Sequence, residues 1–325
     1  MIGYIIRRLL YAIPILIGVN LLTFVLFFFV NSPDDMARIH LGAKRVTPEA
    51  IVKWKEDHGY NKPLLYNGET SGAEKLTDTI FFRHSVSLFV FDFGRSDQGR
   101  DIGYDIYQRM WPSLAIALPV FLVGILVHIT FAMLLAFFRG SYLDTAGVVL
   151  CVIMMSISAL FYVILGQYLV SMLLRLVPIS GYDIGLEAVK FLVLPVIVGV
   201  VGGIGASTRL YRTFFLEEIN KDYVRTARAK GLSELRVLFR HVLKNAMIPI
   251  LTGVVVVIPL LFTGSLILES FFAVPGLGSY TIDAIHSQDF AIVRAMVFLG
   301  SVLYIAGLIL TDITYTLVDP RVRLE

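Results

Sequence analysis

The sequence predicts an all-α polytopic membrane protein with six transmembrane helices, on three observations. Hydrophobic residues fill 57% of the 325 positions and charged residues 16%, against roughly 45–50% and about 25% in soluble domains. Mean hydropathy is +0.77. Six stretches, residues 9–30, 111–138, 145–174, 191–210, 248–268 and 295–318, are apolar enough to supply the roughly 20 helical residues that cross a hydrocarbon core.

The first stretch contains no charge and follows Arg7 and Arg8. A cleavable secretory core is about 7–15 residues and ends at small residues. This run has 22 residues and ends in Phe-Phe-Phe-Val-Asn-Ser-Pro, so it is expected to be an uncleaved anchor. The second stretch holds His128 as its titratable group, expected to be a satisfied interhelical donor. The third holds no charge, and the chain's one cysteine, Cys151, lies in it, which leaves no intrachain disulfide. The fourth carries Gly199 and Gly203 four residues apart, the spacing that lets helices approach closely. Pro119, Pro195 and Pro259 fall inside spans, where neighbouring helices can satisfy the freed carbonyls. Asp312 lies near the end of the last span and is expected to have a structural partner.

Between the first two spans, residues 31–110 form the one sizeable region outside the membrane. Thr47 followed by Pro48 predicts a capped short helix. Residues 67–79 are polar, and the apolar 87–93 predicts β-structure. The region is expected to be a small subdomain packed on the bundle, because a few dozen residues without disulfides bury little core alone. Orientation follows from Lys and Arg in short loops. With a cytoplasmic N-terminus, fourteen basic residues face inward and three outward, placing both termini in the cytoplasm and 31–110 outside.

Six basic residues gather in "DYVRTARAKGLSELRVLFRHVLKNAMIPIL", residues 222–251, between two spans. The stretch 221–230 favours helix, and Gly231 suits the left-handed position beyond a helix end. Ser233 can cap a second helix, with Glu234 in its first turn. Leu235, Leu238, Phe239 and Val242 then fall on one apolar face, predicting a helix–glycine–helix hairpin whose second helix lies along the membrane surface. Charge alone favours a topology marker or a lipid-facing basic helix. The small residues Ala227, Ala229 and Gly231 add a surface that another protein can approach.

The same passage resembles the cytoplasmic loop, with its EAA motif, of permease subunits of peptide-importing ABC transporters, the dipeptide/oligopeptide permease family. "MIGYIIRRLLYAIPILIGVNLLTFVL", "PEAIVKWKEDHGYNKPLLYN", "FDFGRSD", "ESFFAVPGLGSYTIDAI" and "DITYTLVDPRVR" resemble successive blocks of that family, nearest its first-permease type. The departure is residues 67–79 and the sequence up to Val86. The resemblance implies a type I ABC importer permease fold: a cytoplasmic tip and first span (1–30), an extracytoplasmic subdomain (31–110), and a permease core (111–325) with a coupling loop (212–247). It implies a coupling helix at about 222–232, with Thr226, Ala227, Ala229 and Gly231 making the close contact to an ATPase and Arg225, Arg228 and Lys230 flanking. Gly231→Pro or Ala227→Glu is then expected to abolish transport and ATPase association without blocking insertion. The implied partners are a second homologous permease subunit, two cytoplasmic ABC ATPases, an extracytoplasmic peptide-binding protein and the bilayer, with no nucleic acid. No G-x-x-x-x-G-K-[ST] loop occurs, so ATP and Mg are expected on the partners, with no cofactor or catalytic residue here.

Glu269 with Pro275, Gly276 and Gly278 predicts a turn or re-entrant element, with an outer gate as the alternative. Asp283, His286 and Asp289 do not share a helix face and are expected to be a solvated loop, not a metal cluster. The rivals are less well served. An ion-coupled carrier needs intramembrane relays or paired broken helices, where the chain offers only Asp312 and His128; a membrane protease needs a motif such as HExxH, which is missing. Within the leading reading, nickel, cell-wall peptides or oligosaccharides are alternative solutes.

Overall fold

The computed structural model describes residues 2–42 and 47–318, so Arg321 and Arg323 of the charge count lie outside the described residues. Four helices precede the second span: α1 Ile2–Val25, continued by a π-type turn Leu26–Val30, α2 Pro33–Leu41, α3 Pro48–Asp57 and α4 Glu74–Thr77. Then come α5 Ile102–Phe137, α6 Tyr142–Ser156, α7 Ala159–Gly166, α8 Ala188–Ile219 and α9 Asp222–Ala229. The chain continues through α10 Glu234–Val237, α11 Leu243–Val255, α12 Leu266–Phe271, α13 Leu277–Ser287 and α14 Phe290–Val318. Among the described residues five helices are long and apolar enough to cross a membrane, and six spans result when α6 and α7 count as one broken span, bent by 94°. Contacts divide the chain into two compact units, Met1–Arg109 with Tyr280–Ile305, and Met110–Ser279 with Ala306–Glu325.

In the first unit, Phe24, Phe28, Met36, Tyr60 and Ile80 form a buried cluster. The Asn20 amide, buried in α1, donates to the Ser85 carbonyl at 2.6 Å. Thr47 caps α3 as expected, its hydroxyl accepting from Ala50 N at 3.3 Å with Pro48 in the first turn. Ser32 and Pro33 repeat the device at α2. Residues 87–93 are not β-structure. Ser87–Val90 is a 3-10 turn, closed by Phe91 at φ +59°, with Phe91 N donating to Leu88 O and Asp92 N to Ser87 O. A lone apolar run without a partner strand has no ladder for its backbone groups, which are satisfied locally instead. Among the described residues the strand-like pairing is one isolated bridge, Arg95 to Asp101.

In the second unit α8 packs through its glycines. A Cβ on Gly203 would stand 2.9 Å from the His128 ring, one on Gly199 2.9 Å from Val120, and one on Gly205 2.6 Å from the Cys151 carbonyl. His128 on α5 pairs its Nε2 with the Val200 carbonyl at 3.0 Å, the interhelical bond anticipated for it. The expected third span is interrupted at Ile157, whose backbone is extended. Tyr162 stabilises the break by donating its hydroxyl to the Met154 carbonyl at 2.7 Å. The fifth span also breaks, into a 3-10 turn Pro259–Thr263 and Gly264 at φ +72°, because proline cannot donate to the preceding turn.

An ion pair fastens this unit near the start of α6. Arg212 on α8 grips Asp144 with two bonds, Nε to Oδ1 at 2.8 Å and Nη2 to Oδ2 at 2.7 Å, while Gly140 N donates to the same carboxylate at 3.0 Å. Asp144 is nine-tenths buried, and removing one partner of such a pair costs about 3–5 kcal/mol. Asp144→Ala and Arg212→Ala should therefore lower thermal stability by similar amounts, and the double variant by less than their sum. Strict additivity in detergent unfolding would contradict this.

Candidate functional site

The basic loop is built on α9. Its Val224 and Ala227 point inward, into a buried cluster with Ala132, Ala136, Phe215, Ile219, Val237, Leu238, Val242, Ala246 and Ile250. The opposite side, Arg225, Thr226, Ala229, Lys230 and Gly231, is exposed, and Arg228 is half-buried. The structure thus gathers six of the seven proposed coupling residues on the outer side of one helix and its cap, and turns Ala227 away from it, 5% exposed. Small size at position 227 serves packing within the chain.

Gly231 adopts φ +78°, its N–H donating to the Arg228 carbonyl at 2.9 Å. That left-handed cap reverses the chain, and glycine holds it without the Cβ clash other residues meet. Across the reversal Arg228 binds Glu234 in a fork, Nε to Oε1 at 2.8 Å and Nη2 to Oε2 at 3.1 Å. The hairpin is clamped by its own ion pair. At the other end of α9, Tyr223 donates to Glu218; burial first, then that bond, pushes the phenol up to about 12.

The second helix departs from expectation. Ser233 makes no side-chain cap, and α10 runs through a π-type turn Leu238–Val242 directly into α11, within one apolar helical stretch Glu234–Phe271. A π turn inserts an extra residue and rotates the register. Val237, Leu238 and Val242 are consequently buried, while Leu235 and Phe239 are 59% and 54% exposed. There is no separate surface helix. The hairpin is joined to the fifth span by continuous helix, and its stiffness comes from the Arg228–Glu234 fork and the buried cluster.

Glu269, Gly276 and Gly278 meet in a second constellation. The Glu269 side chain is fully buried. Its Oε1 accepts from Ser265 N at 3.0 Å, at the start of α12, and its Oε2 from Ser279 N at 3.0 Å, in the first turn of α13. One carboxylate thus satisfies free donors at two helix N-termini, where the helix dipole also favours negative charge. Ser113 assists by accepting from Leu277 N at 2.7 Å. Gly264 and Gly276 are small for room: a Cβ would fall 2.1 and 2.3 Å from the carboxylate oxygens. At Gly278 it would fall 2.7 Å from the Ser265 backbone. Pro275 lies in the connecting turn, between Val274 and Gly276, whose N–H donates to the Val274 carbonyl at 2.8 Å. Asp289 caps α14, accepting from Ile292 N at 3.3 Å and Asp97 N at 2.8 Å. Among the described residues no group of three or more His, Cys, Asp or Glu is placed to hold a metal ion. Asp312, half-buried in α14, is engaged with its surroundings.

Sequence reasoning missed two features here. The Arg228–Glu234 fork spans six residues and was legible only as unlike charges on either side of a glycine. The Asp144–Arg212 pair joins residues 68 apart and left no local sign.

Together the long apolar helices define a multi-pass helical membrane protein, and the clamped hairpin gives it an exposed basic face. Residues 128–324 match the family described as binding-protein-dependent transport system inner membrane component, and residues 1–69 match its N-terminal companion. The chain belongs to that family and is the membrane permease component of an ABC importer. It is 33% identical over 331 residues, the whole of both chains, to a Brucella abortus protein named as a peptide transport system permease. The di/tripeptide transport system permease protein DppB of Pseudomonas aeruginosa is 30% identical, with 99% of each chain covered. The oligopeptide transport system permease protein AppB of Bacillus subtilis is 29% identical, covering 99% of this chain and all of that one.

Proposed function

We propose that the chain forms half of a translocation pathway for di- or oligopeptides, paired with a second, homologous permease. The α9–Gly231 hairpin docks into a cytoplasmic ATPase, one of two that bind ATP and Mg and do the hydrolysis; this chain contributes no catalytic residue and no cofactor site. An extracytoplasmic binding protein delivers the peptide. Both termini and the hairpin face the cytoplasm, as the uneven Lys and Arg distribution favours, and residues 31–110 face outward. Glu269 is a fixed post that holds the α12–α13 turn, rather than a moving gate.

The observation that carries this reading is the exposed basic face of α9, clamped by Arg228–Glu234 and continuous through α10 with the fifth span. A docked partner's movement there is passed along a helix instead of being absorbed in a loop. Peptide cargo is supported by the names of full-length relatives. Purification from its own cells in mild detergent should bring two ATPase subunits and a second permease with the chain. A strain lacking the gene should fail to grow on a di- or oligopeptide as nitrogen source. A chain that purifies alone and moves solute unaided would overturn the proposal.

A further inference from the structure

Two interrupted spans of the second unit open onto one cavity. It measures about 380 Å³ and is lined by Met154, Met155, Ile157, Gly202, Ser265 and Leu268 among others. Ile157 is the extended residue at which α6 ends, and Ser265 follows Gly264 at the break in the fifth span. A helix that stops inside a span leaves the carbonyls of its last turn, and the first N–H groups of the next helix, without helical partners. Here Tyr162 Oη and Ile157 N both donate to the same carbonyl, Met154 O, at 2.7 and 3.4 Å, and Ser158 makes no side-chain cap on α7. At the other break Ser265 N goes to Glu269. Irregular backbone at membrane depth is tolerated only inside protein or beside a water-filled cavity, and not against lipid. Two such breaks on one wall mark this as a solvated side of the unit.

The cavity is nevertheless apolar. None of its lining residues is charged; Arg209, outside the lining, donates to Met155 Sδ at 3.7 Å. Its walls can be reached from outside, since Met155 is 50% exposed and Gly202 is exposed. Methionine adapts its shape, which suits a surface that takes side chains of different sizes. Glycine at 202 leaves room as well: a Cβ there would meet Tyr162 at an ordinary 3.9 Å.

We propose that this cavity is a side-chain pocket of the translocation pathway, holding an apolar side chain of a passing peptide. The inference rests on the peptide-permease reading and adds where, and by what chemistry, the peptide is met.

Gly202→Leu tests it, because the new side chain starts without a clash, raises helix propensity and fills the pocket. Cells carrying each variant as the sole copy are given labelled Ala-Ala or Phe-Phe. Gly202→Leu should cut Phe-Phe uptake by roughly tenfold or more, the scale on which an apolar pocket discriminates size, with Ala-Ala uptake near the parent's. Gly202→Ala should leave both near the parent's. Equal loss of both peptides, as when a lipid or a helix of the second permease fills the cavity, overturns the proposal, and so does no loss of either. A second measurement leaves the pocket open and does not depend on Gly202→Leu inserting. Gly202→Cys with Cys151→Ser should be labelled in membranes by a charged methanethiosulfonate, and Phe-Phe should slow that labelling more than Ala-Ala. No labelling, or equal slowing by the two peptides, also overturns the proposal. A parent that takes up neither peptide faster than a strain lacking the gene would instead remove the peptide reading itself, and this inference with it.

Discussion

Gly276→Ala should destabilise the second unit by about 2.5–6 kcal/mol, the sum of an overpacking cost of about 1–3 kcal/mol and a lost hydrogen bond to a charged group of about 1.5–3 kcal/mol. The new Cβ would sit 2.3 Å from Glu269 Oε2 and 2.5 Å from Ser113 Oγ. Glu269 cannot retreat, because its other oxygen is tied to Ser265 N at 3.0 Å and faces Gly264 with no room for a side chain. Displacement therefore releases Ser279 N and unpins the start of α13. Glu269→Leu should be at least as severe, since it orphans both backbone donors. Thermal unfolding in one detergent, followed by intrinsic fluorescence, checks both variants. A Gly276→Ala protein as stable as its parent would mean that the two helix starts are not held by this carboxylate.

Reversing charge on the outer face of α9 should have the largest functional effect. The double variant Arg225→Glu, Lys230→Glu alters two exposed side chains, so stability should change by less than about 1 kcal/mol, as surface changes usually do. ATPase subunits should nevertheless be lost on purification, and peptide-dependent growth with them. Gly231→Pro should do the same by another route: proline fixes φ near −65° and removes the N–H, where the hairpin uses φ +78° and a bond to Arg228 O. Ala227→Glu is a poor probe of docking, contrary to the expectation from sequence. Its carboxylate would enter the cluster of Val224, Leu238 and Val242 and damage the loop itself. Retention of ATPases by the charge-reversed protein would sink the assignment of this face.

Acid should weaken the first unit through His84. Burial first, and then the Arg294 charge, holds its imidazole down at about 3 against an ordinary value near 6.5. The sign follows from linkage: a histidine depressed in the fold stabilises it fully above pH 6.5, and that contribution is lost as pH falls toward 3. Comparing the unfolding temperature of the parent and His84→Gln across that range isolates this contribution from those of the carboxylates. The same pH slope in both would contradict it.

Signals confined to a few residues were the legible ones. Thr47-Pro48 capped its helix, Gly231 took its left-handed turn, and Gly199 with Gly203 marked a close helix approach, because each effect acts within a turn or on an adjacent helix. The π turn at Leu238–Val242 was not legible, since a period of 3.6 residues assumes no insertion, and Phe239 was rotated outward as a result. The bend at Ile157 was not read from the sequence although Ser156 and Ser158 flank it, because two small uncharged residues do not interrupt the hydropathy of the run. Glu269 was seen as a turn residue, but its two distant donors, Ser265 N and Ser279 N, exist only once α12 and α13 are in place. Arg294, one of the three basic residues counted as facing outward, is packed against Phe28, a contact no sequence distance suggests.

Site-specific cross-linking at Thr226 tests the central claim most directly. Thr226 is exposed in the middle of α9, and Cys151, the only native cysteine, is buried, so Thr226→Cys with Cys151→Ser gives a single accessible thiol. A short bifunctional reagent applied to membranes of the producing cell should join that thiol to the ATPase subunit, and a membrane-impermeant maleimide should fail to block it in intact cells. Blocking from outside, or no ATPase adduct from a chain that has inserted normally, would contradict the account.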